Sequence, residues 1–275
     1  MLLLVPALWG WGYPLIRESM GAIGPLGFLW LRFGIALIPL AALYGGTLPR
    51  ATRSTWSHGV VTGIALFLAY AFLNAGLVHT TTPRAGFVIG LRVILVPLLA
   101  AGLFGLRVAG AVRVAAVVSL LGVALLFLTR DESLDGAITG DLLVLASALF
   151  FALHVLLVGR FSTPETFAPL LVLQVAIATL LSAAGAWLLE ARLLPDAAFV
   201  WTNALLAGLF ATALAFWIQN GYQFRIDPSR AGVIYATEPL FATSFGFLYL
   251  GEVLQGWQWG GALLICAGMV IALRR

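Results

Sequence analysis

The sequence contains no lysine, a single cysteine and very little charge. All 15 basic residues are arginine and only 11 residues are acidic, so charged side chains make up 9% of the 275 positions. A soluble domain carries nearer a quarter, and so few polar groups could not cover a surface facing water. The lone Cys266 excludes an intrachain disulfide and a thiolate metal site; it lies in an apolar run and reads as a small buried residue. The formal charge is +4, but the arginines form no basic cluster or face, which removes nucleic acid as a partner. No motif for a metal or cofactor is present, and none is expected.

What the chain has instead is apolar sequence, 62% of it, in long runs. A membrane-spanning helix needs roughly 20 mostly apolar residues. Ten segments approach this and predict helices over 2–16, 25–45, 57–77, 82–103, 110–128, 140–159, 166–189, 199–221, 229–249 and 256–273. The runs do not alternate, which excludes a barrel. The first segment has no basic flank and no small-residue cleavage pattern, so it reads as a membrane helix rather than a signal peptide. The expected fold is an all-α membrane protein, embedded in the lipid bilayer as a monomer or weak dimer.

Arginine placement sets the orientation. With the N-terminus inside, inner loops hold nine arginines (50, 53, 107, 113, 160, 225, 230, 274 and 275) and outer loops hold four (17, 84, 130 and 192). This bias predicts both termini in the cytoplasm. Most acids, including Glu18, Asp141, Glu190 and Glu252, fall on the outer side.

The second half echoes the first. Residues 74–128 slide onto 220–274 at a fixed offset of 146 without gaps: Asn74 meets Asn220, Arg84-Ala85-Gly86 meets Arg230-Ala231-Gly232, and Gly105, Gly110 and Gly122 meet Gly251, Gly256 and Gly268. Earlier, Ala7-Leu8 resembles Ala148-Leu149, and Arg32 falls opposite Gln174. The repeats are placed at 1–128 and 140–275. Five helices is an odd number, so the second half must enter the membrane upside down. Inverted five-helix repeats around a central cavity are a transporter architecture.

Trp9-Gly10, Arg32-Phe33, Glu238-Pro239, Leu250-Gly251-Glu252, Gly260-Gly261-Ala262 and Gly268, in this order and spacing, resemble the drug/metabolite transporter superfamily, in the branch with two copies of a five-helix EamA domain. The resemblance covers nearly the whole chain. It implies a ten-helix carrier of the bacterial inner membrane, of a kind that often exports amino acids and related metabolites. The first half departs from the pattern, with Gly105-Leu106 where the second has Gly251-Glu252, and Arg92 where Glu238 would fall.

Ionisable residues inside a span are costly and usually functional. Here they are Arg32, Arg92 and Glu238, with His154 neutral or charged. Arg92 and Glu238 are equivalent in the two repeats and are expected near mid-helix around one cavity. Arg92 would hold a carboxylate, and Glu238 an amine or a transported proton; the alternative is a packing ion pair between Glu238 and Arg92 or Arg32. Further candidate contacts are Tyr70, Tyr235, Asn74, Asn220, His154, Trp11 and Trp217, with aromatic lining pointing to aromatic or apolar amino acids. Arg32 reads as structural, and Pro14, Pro97 and Pro239 as kinks that shape packing or gate the path. Trp30, Trp56, Trp201, Trp257 and Trp259 fit an interfacial belt. An intramembrane enzyme or a channel acting on a small solute or lipid is the alternative function, but the sequence holds no matching catalytic motif and no filter-like array.

Overall fold

Backbone amides in apolar runs of this length must be satisfied within the segment itself. The computed structural model, which describes residues 1–105, 109–128, 137–190, 193–225, 234–235 and 237–272, is accordingly helical throughout its regular elements. The helices are α1 (Leu4–Ser19), α2 (Pro25–Tyr44), α3 (Arg53–Leu77), α4 (Thr82–Gly90), α5 (Arg92–Phe104), α6 (Gly110–Leu128), α7 (Ala137–Phe161), α8 (Phe167–Leu189), α9 (Ala198–Gly208), α10 (Ala215–Tyr222), α11 (Glu238–Leu250) and α12 (Gln258–Ala272). A 3-10 stretch, Gly45–Arg50, follows α2, and a π-helical stretch, Leu209–Leu214, joins α9 to α10.

Among the described residues, six helical stretches are long and apolar enough to cross a bilayer: 25–50, 53–77, 82–103, 138–161, 167–189 and 198–225. The apolar helices 110–125 and 258–272 are shorter, as are α1 and α11 at 16 and 13 residues. About half of each long span is buried. The other half turns large apolar side chains outward, among them Ile38, Leu43, Leu180, Trp187 and Leu188. In water such a surface would drive aggregation; in lipid it is the face the solvent requires. Trp56, Trp201, Trp257 and Trp259 are exposed near helix ends, where their rings suit the headgroup layer.

Helix starts are fixed partly by distant carboxylates. Gly24 is extended and Pro25 opens α2, but no local side chain caps it. Glu190, at the end of α8, accepts from the Leu26 and Gly27 amides at 2.7 and 2.8 Å instead. A Cβ on Gly24 would stand 2.2 Å from the Glu190 carboxyl carbon, so the approach requires glycine. Glu252, beyond α11, likewise accepts from the Thr82 amide at the start of α4 at 2.7 Å. Negative charge at a helix N-terminus satisfies free amides and the helix dipole together. Sequence reading left both acids in outer loops without partners.

Packing is tight where glycine or alanine meets a neighbouring backbone. Helix α2 runs antiparallel to α8, with Leu26 against Gly185 and Gly34 against Thr179. Helix α4 runs antiparallel to α11, with Thr82 against Gly246 and Gly86 against Ala242. Helices α6 and α12 are also antiparallel, and their contact is reciprocal. A Cβ on Gly122 would lie 2.7 Å from the Gly261 carbonyl, and one on Gly268 would lie 2.9 Å from the Ala115 carbonyl. The second pair is the first shifted by the sequence offset, Gly122 answering to Gly268 and Ala115 to Gly261.

The same offset recurs in the backbone. Residues 82–103, predicted as one helix, break at Leu91. There Leu91 N–H donates to Val88 O at 3.1 Å and Ile94 N–H to Leu91 O at 2.9 Å. At the equivalent place Thr237 N–H donates to Ile234 O at 3.3 Å and Leu240 N–H to Thr237 O at 3.1 Å. These i→i+3 bonds tighten the turn. Downstream, Gly105 and Gly251 end α5 and α11 with φ of 66° each, donating to Ala101 O and Phe247 O. A left-handed terminal residue favours glycine.

Arg92 and Glu238 therefore stand at helix starts rather than mid-helix, each just after the break. Pro239 sits in the first turn of α11, where its missing N–H costs nothing; Pro14 and Pro97 lie inside α1 and α5. Of the predicted helix 229–249, residues 229–233, with Arg230 and Gly232 among them, and residue 236 lie outside the described residues.

Candidate functional site

Arg92 and Glu238 form a buried ion pair, Arg92 Nη2 donating to Glu238 Oε2, with both side chains 3% exposed. Tyr13 of α1 donates its hydroxyl proton to Glu238 Oε1 at 2.7 Å. The Arg92 guanidinium lies 4.9 Å from the Trp9 ring centroid and 5.4 Å from that of Tyr235, within cation–π range. Trp9 and Tyr235 pack on each other at 5.5 Å. The pair thus sits between two short helix starts, roofed by aromatic faces.

Beside it is a small cavity. Its charged and hydroxyl walls are Arg32, Arg92, Glu238, Tyr13 and Tyr70; its apolar walls come from Trp9, Ile16, Leu73 and Phe151. The free volume is ≈ 10 Å³, close to the minimum for one water. In this conformation the site is closed around its own ion pair and cannot admit an amino acid.

Arg32 enters this cavity from α2. Its Nε donates to Thr212 Oγ1 at 2.6 Å, and its Nη2 to Tyr70 Oη at 3.2 Å and to the Ala211 carbonyl at 3.1 Å. Both Ala211 and Thr212 belong to the π-helical stretch that joins α9 to α10. Thr212 Oγ1 in turn donates back to Ala207 O at 2.9 Å. Sequence reading placed Arg32 as a structural residue; the structure puts it on the cavity wall. Three buried donors on lining residues have no partner among the described residues: Trp9 Nε1, Arg32 Nη1 and Arg92 Nε.

Of the other candidates, Tyr70 lines the cavity, while Tyr235 touches the pair but turns its hydroxyl to Gln223 Oε1 at 3.1 Å. His154 Nε2 lies 2.8 Å from Gln174 Oε1, and Gln174 Nε2 donates to Asn220 Oδ1 at 3.1 Å. This chain ties α7, α8 and α10 together as interhelical hydrogen bonding. Asn74 donates to the Pro25 carbonyl at 3.0 Å. Trp11 donates to Tyr249 Oη at 3.1 Å and Trp217 to Tyr44 Oη at 2.7 Å. Trp11, Trp217, His154, Asn74 and Asn220 are not brought to the cavity.

The sequence missed a second buried ion pair. Arg84 of α4 pairs with Asp141 of α7, each 1% exposed, and Thr80 donates to Asp141 Oδ1 at 2.6 Å. At the same end of the bundle, Arg17 Nε donates to Glu252 Oε1 at 3.2 Å and its Nη1 to the Leu77 carbonyl. Both arginines were expected in outer loops. Only their complementary acids on the same side hinted at pairing.

Known proteins place these features in context. A chain of Archaeoglobus fulgidus described as an uncharacterized transporter is 29% identical over 279 residues, covering all of this chain and 85% of that one. The permease-like protein YdzE of Bacillus subtilis is 31% identical over 67 residues, 24% of this chain and 86% of its own. A crystal structure superposes with a TM-score of 0.70 at 22% identity, covering 98% of this chain and 95% of that chain, a likeness of fold alone. The sequence profile of the EamA-like transporter family matches twice, at residues 1–128 and 138–274. Taken with the apolar spans and the paired charges between them, these matches make the chain a multi-pass membrane protein that belongs to the EamA-like transporter family.

Proposed function

We propose that this protein is a secondary carrier that moves small organic metabolites across the bacterial inner membrane by alternating access, with amino acids, aromatic or apolar ones foremost, as its cargo and export as its direction. The observation that carries the reading is the meeting of Arg92 and Glu238 from equivalent positions at the edge of one cavity. Ten spans in two inverted halves, 1–128 and 140–275, account for that meeting. Two features support the inversion: α2 and α8, and α6 and α12, are equivalent in sequence and run antiparallel; α4, which leads into α5, likewise runs antiparallel to α11, the equivalent of α5. Arginine bias supports both termini in the cytoplasm.

An amino acid carries the two charges that the ion pair carries. Its ammonium can replace a guanidinium at Glu238, and its carboxylate can take the guanidinium side of the cavity. Binding then exchanges one buried pair for two without adding net charge, which limits the desolvation cost. Trp9, Tyr13, Tyr235 and Phe151 supply aromatic surface for an apolar side chain. The closed cavity must widen for this, and the breaks at Leu91 and Thr237 are where the two helices can hinge. Protons are the proposed coupling ion, taken up by Glu238 when its partner leaves.

The test is solute counterflow in proteoliposomes: a carrier exchanges labelled for unlabelled amino acid, while a channel equilibrates without counterflow and an enzyme alters the solute. Absence of counterflow with every amino acid tested removes the reading.

A further inference from the structure

Counted by charge, the cavity does not balance. Arg32 and Arg92 each contribute +1, Glu238 contributes −1, and the remaining polar walls are tyrosine hydroxyls. Glu238 is taken by Arg92 on one oxygen and by Tyr13 on the other. Arg32 is 1% exposed, and among the described residues it forms no ion pair; its partners are a threonine hydroxyl, a tyrosine hydroxyl and a carbonyl. A buried charge with only neutral partners is costly and marks a functional position.

We propose that Arg32 is the anion ligand of this cavity, and that the cargo it takes is a carboxylate. The inference rests on the carrier reading and shifts the carboxylate contact from Arg92, already engaged, to Arg32. Thr212, Tyr70 and Ala211 fix the guanidinium by its Nε and Nη2, leaving Nη1 free at the cavity wall. The other two unpartnered polar atoms on lining residues, Arg92 Nε and Trp9 Nε1, are also donors. The part of the ligand that meets these donors must present acceptors, and a negative group there gives Arg32 the charged partner it lacks. A carboxylate meets both conditions, and its planar oxygens suit a guanidinium. A phosphate dianion would overshoot the charge.

The experiment measures thermal stability of the purified protein in detergent with three matched probe sets: amino acids, their amides, and the deaminated carboxylates such as 3-phenylpropionate. A ligand that binds only the folded state raises the midpoint. The expected result is stabilisation by carboxylates and little by their amides. Arg32→Gln should weaken the carboxylate effect by on the order of 10- to 100-fold, as loss of a charge-assisted bond implies. Arg32→Lys keeps the charge but not the fork; it should fold and bind carboxylates more weakly than the wild type. It serves if Arg32→Gln is unstable. Amides stabilising as well as acids, sodium chloride stabilising as well as carboxylates, no carboxylate stabilising at 100 mM, or an unchanged response in Arg32→Lys would each overturn the assignment. Carboxylate binding without counterflow would leave this site standing and remove the carrier instead.

Discussion

Arg92 and Glu238 are 146 residues apart, the offset that superposes the two halves, and they bond to each other. The ion pair thus joins equivalent positions of the two stretches that the family profile matches. Each partner begins a helix directly after a break with the same i→i+3 bonds. The pair is therefore the point where an internal repeat and a chemical asymmetry coincide: the backbone is duplicated, but the charge is opposite.

Removing one member of this pair strands the other in a buried site. Arg92→Gln or Glu238→Leu should each lower stability by about 3–5 kcal/mol, with Arg92→Met/Glu238→Leu recovering much of the loss. Because the positions are equivalent, the exchange Arg92→Glu/Glu238→Arg should also retain more stability than either single change. A double-mutant cycle read by thermal unfolding in detergent checks both expectations.

If Glu238 carries the coupling proton, Glu238→Gln keeps the Tyr13 contact as an amide oxygen but cannot release a proton. Transport should then become independent of an imposed pH gradient. Uptake assays in vesicles with and without that gradient decide this, and a Glu238→Gln variant that still responds would remove the residue from coupling.

The glycine contact between α6 and α12 predicts paired sensitivity. Gly122→Ala and Gly268→Ala each drive a methyl against a backbone carbonyl on the opposite helix, so each should cost about 1–3 kcal/mol. Gly102, with nothing within 4 Å of its Cβ direction, should accept alanine with little effect. Melting temperatures of the three variants provide the comparison.

His154 serves as the contrast to the cavity residues. His154→Leu leaves Gln174 short of one partner and should cost about 1–3 kcal/mol of stability. Relative transport rates among cargoes should stay unchanged, because His154 does not line the cavity. A shift in cargo preference would place it in the path after all.

Much of this arrangement was legible from the chain. Hydropathy located the six long spans among the described residues because helices in lipid are apolar on nearly every face, and the gapless 146-residue register aligns Arg92 with Glu238. What stayed hidden depends on tertiary context. The break before Arg92 sits at Leu91, an ordinary helix former in an apolar run, so hydropathy did not mark it; the adjoining Gly90 was the one local signal. The π-helical stretch at Leu209–Leu214 has ordinary composition, and without the Thr212 hydroxyl and Ala211 carbonyl it presents, Arg32 looked like packing. Asp141 was counted only among the outer-side acids, because sequence alone cannot bring it to Arg84, 57 positions away. Trp11 and Trp217 had the depth expected of cavity residues but face tyrosines elsewhere, since depth along a helix does not specify its rotation.

The inverted arrangement of the halves is tested most directly by side-specific labelling. With Cys266 replaced by alanine, single cysteines at Ser54, near the start of α3, and Ala198, at the start of the equivalent α9, are exposed to a membrane-impermeant maleimide. In intact cells or oriented vesicles the two should label from opposite sides, Ser54→Cys from the cytoplasm and Ala198→Cys from outside. Labelling of both from the same side would contradict the account.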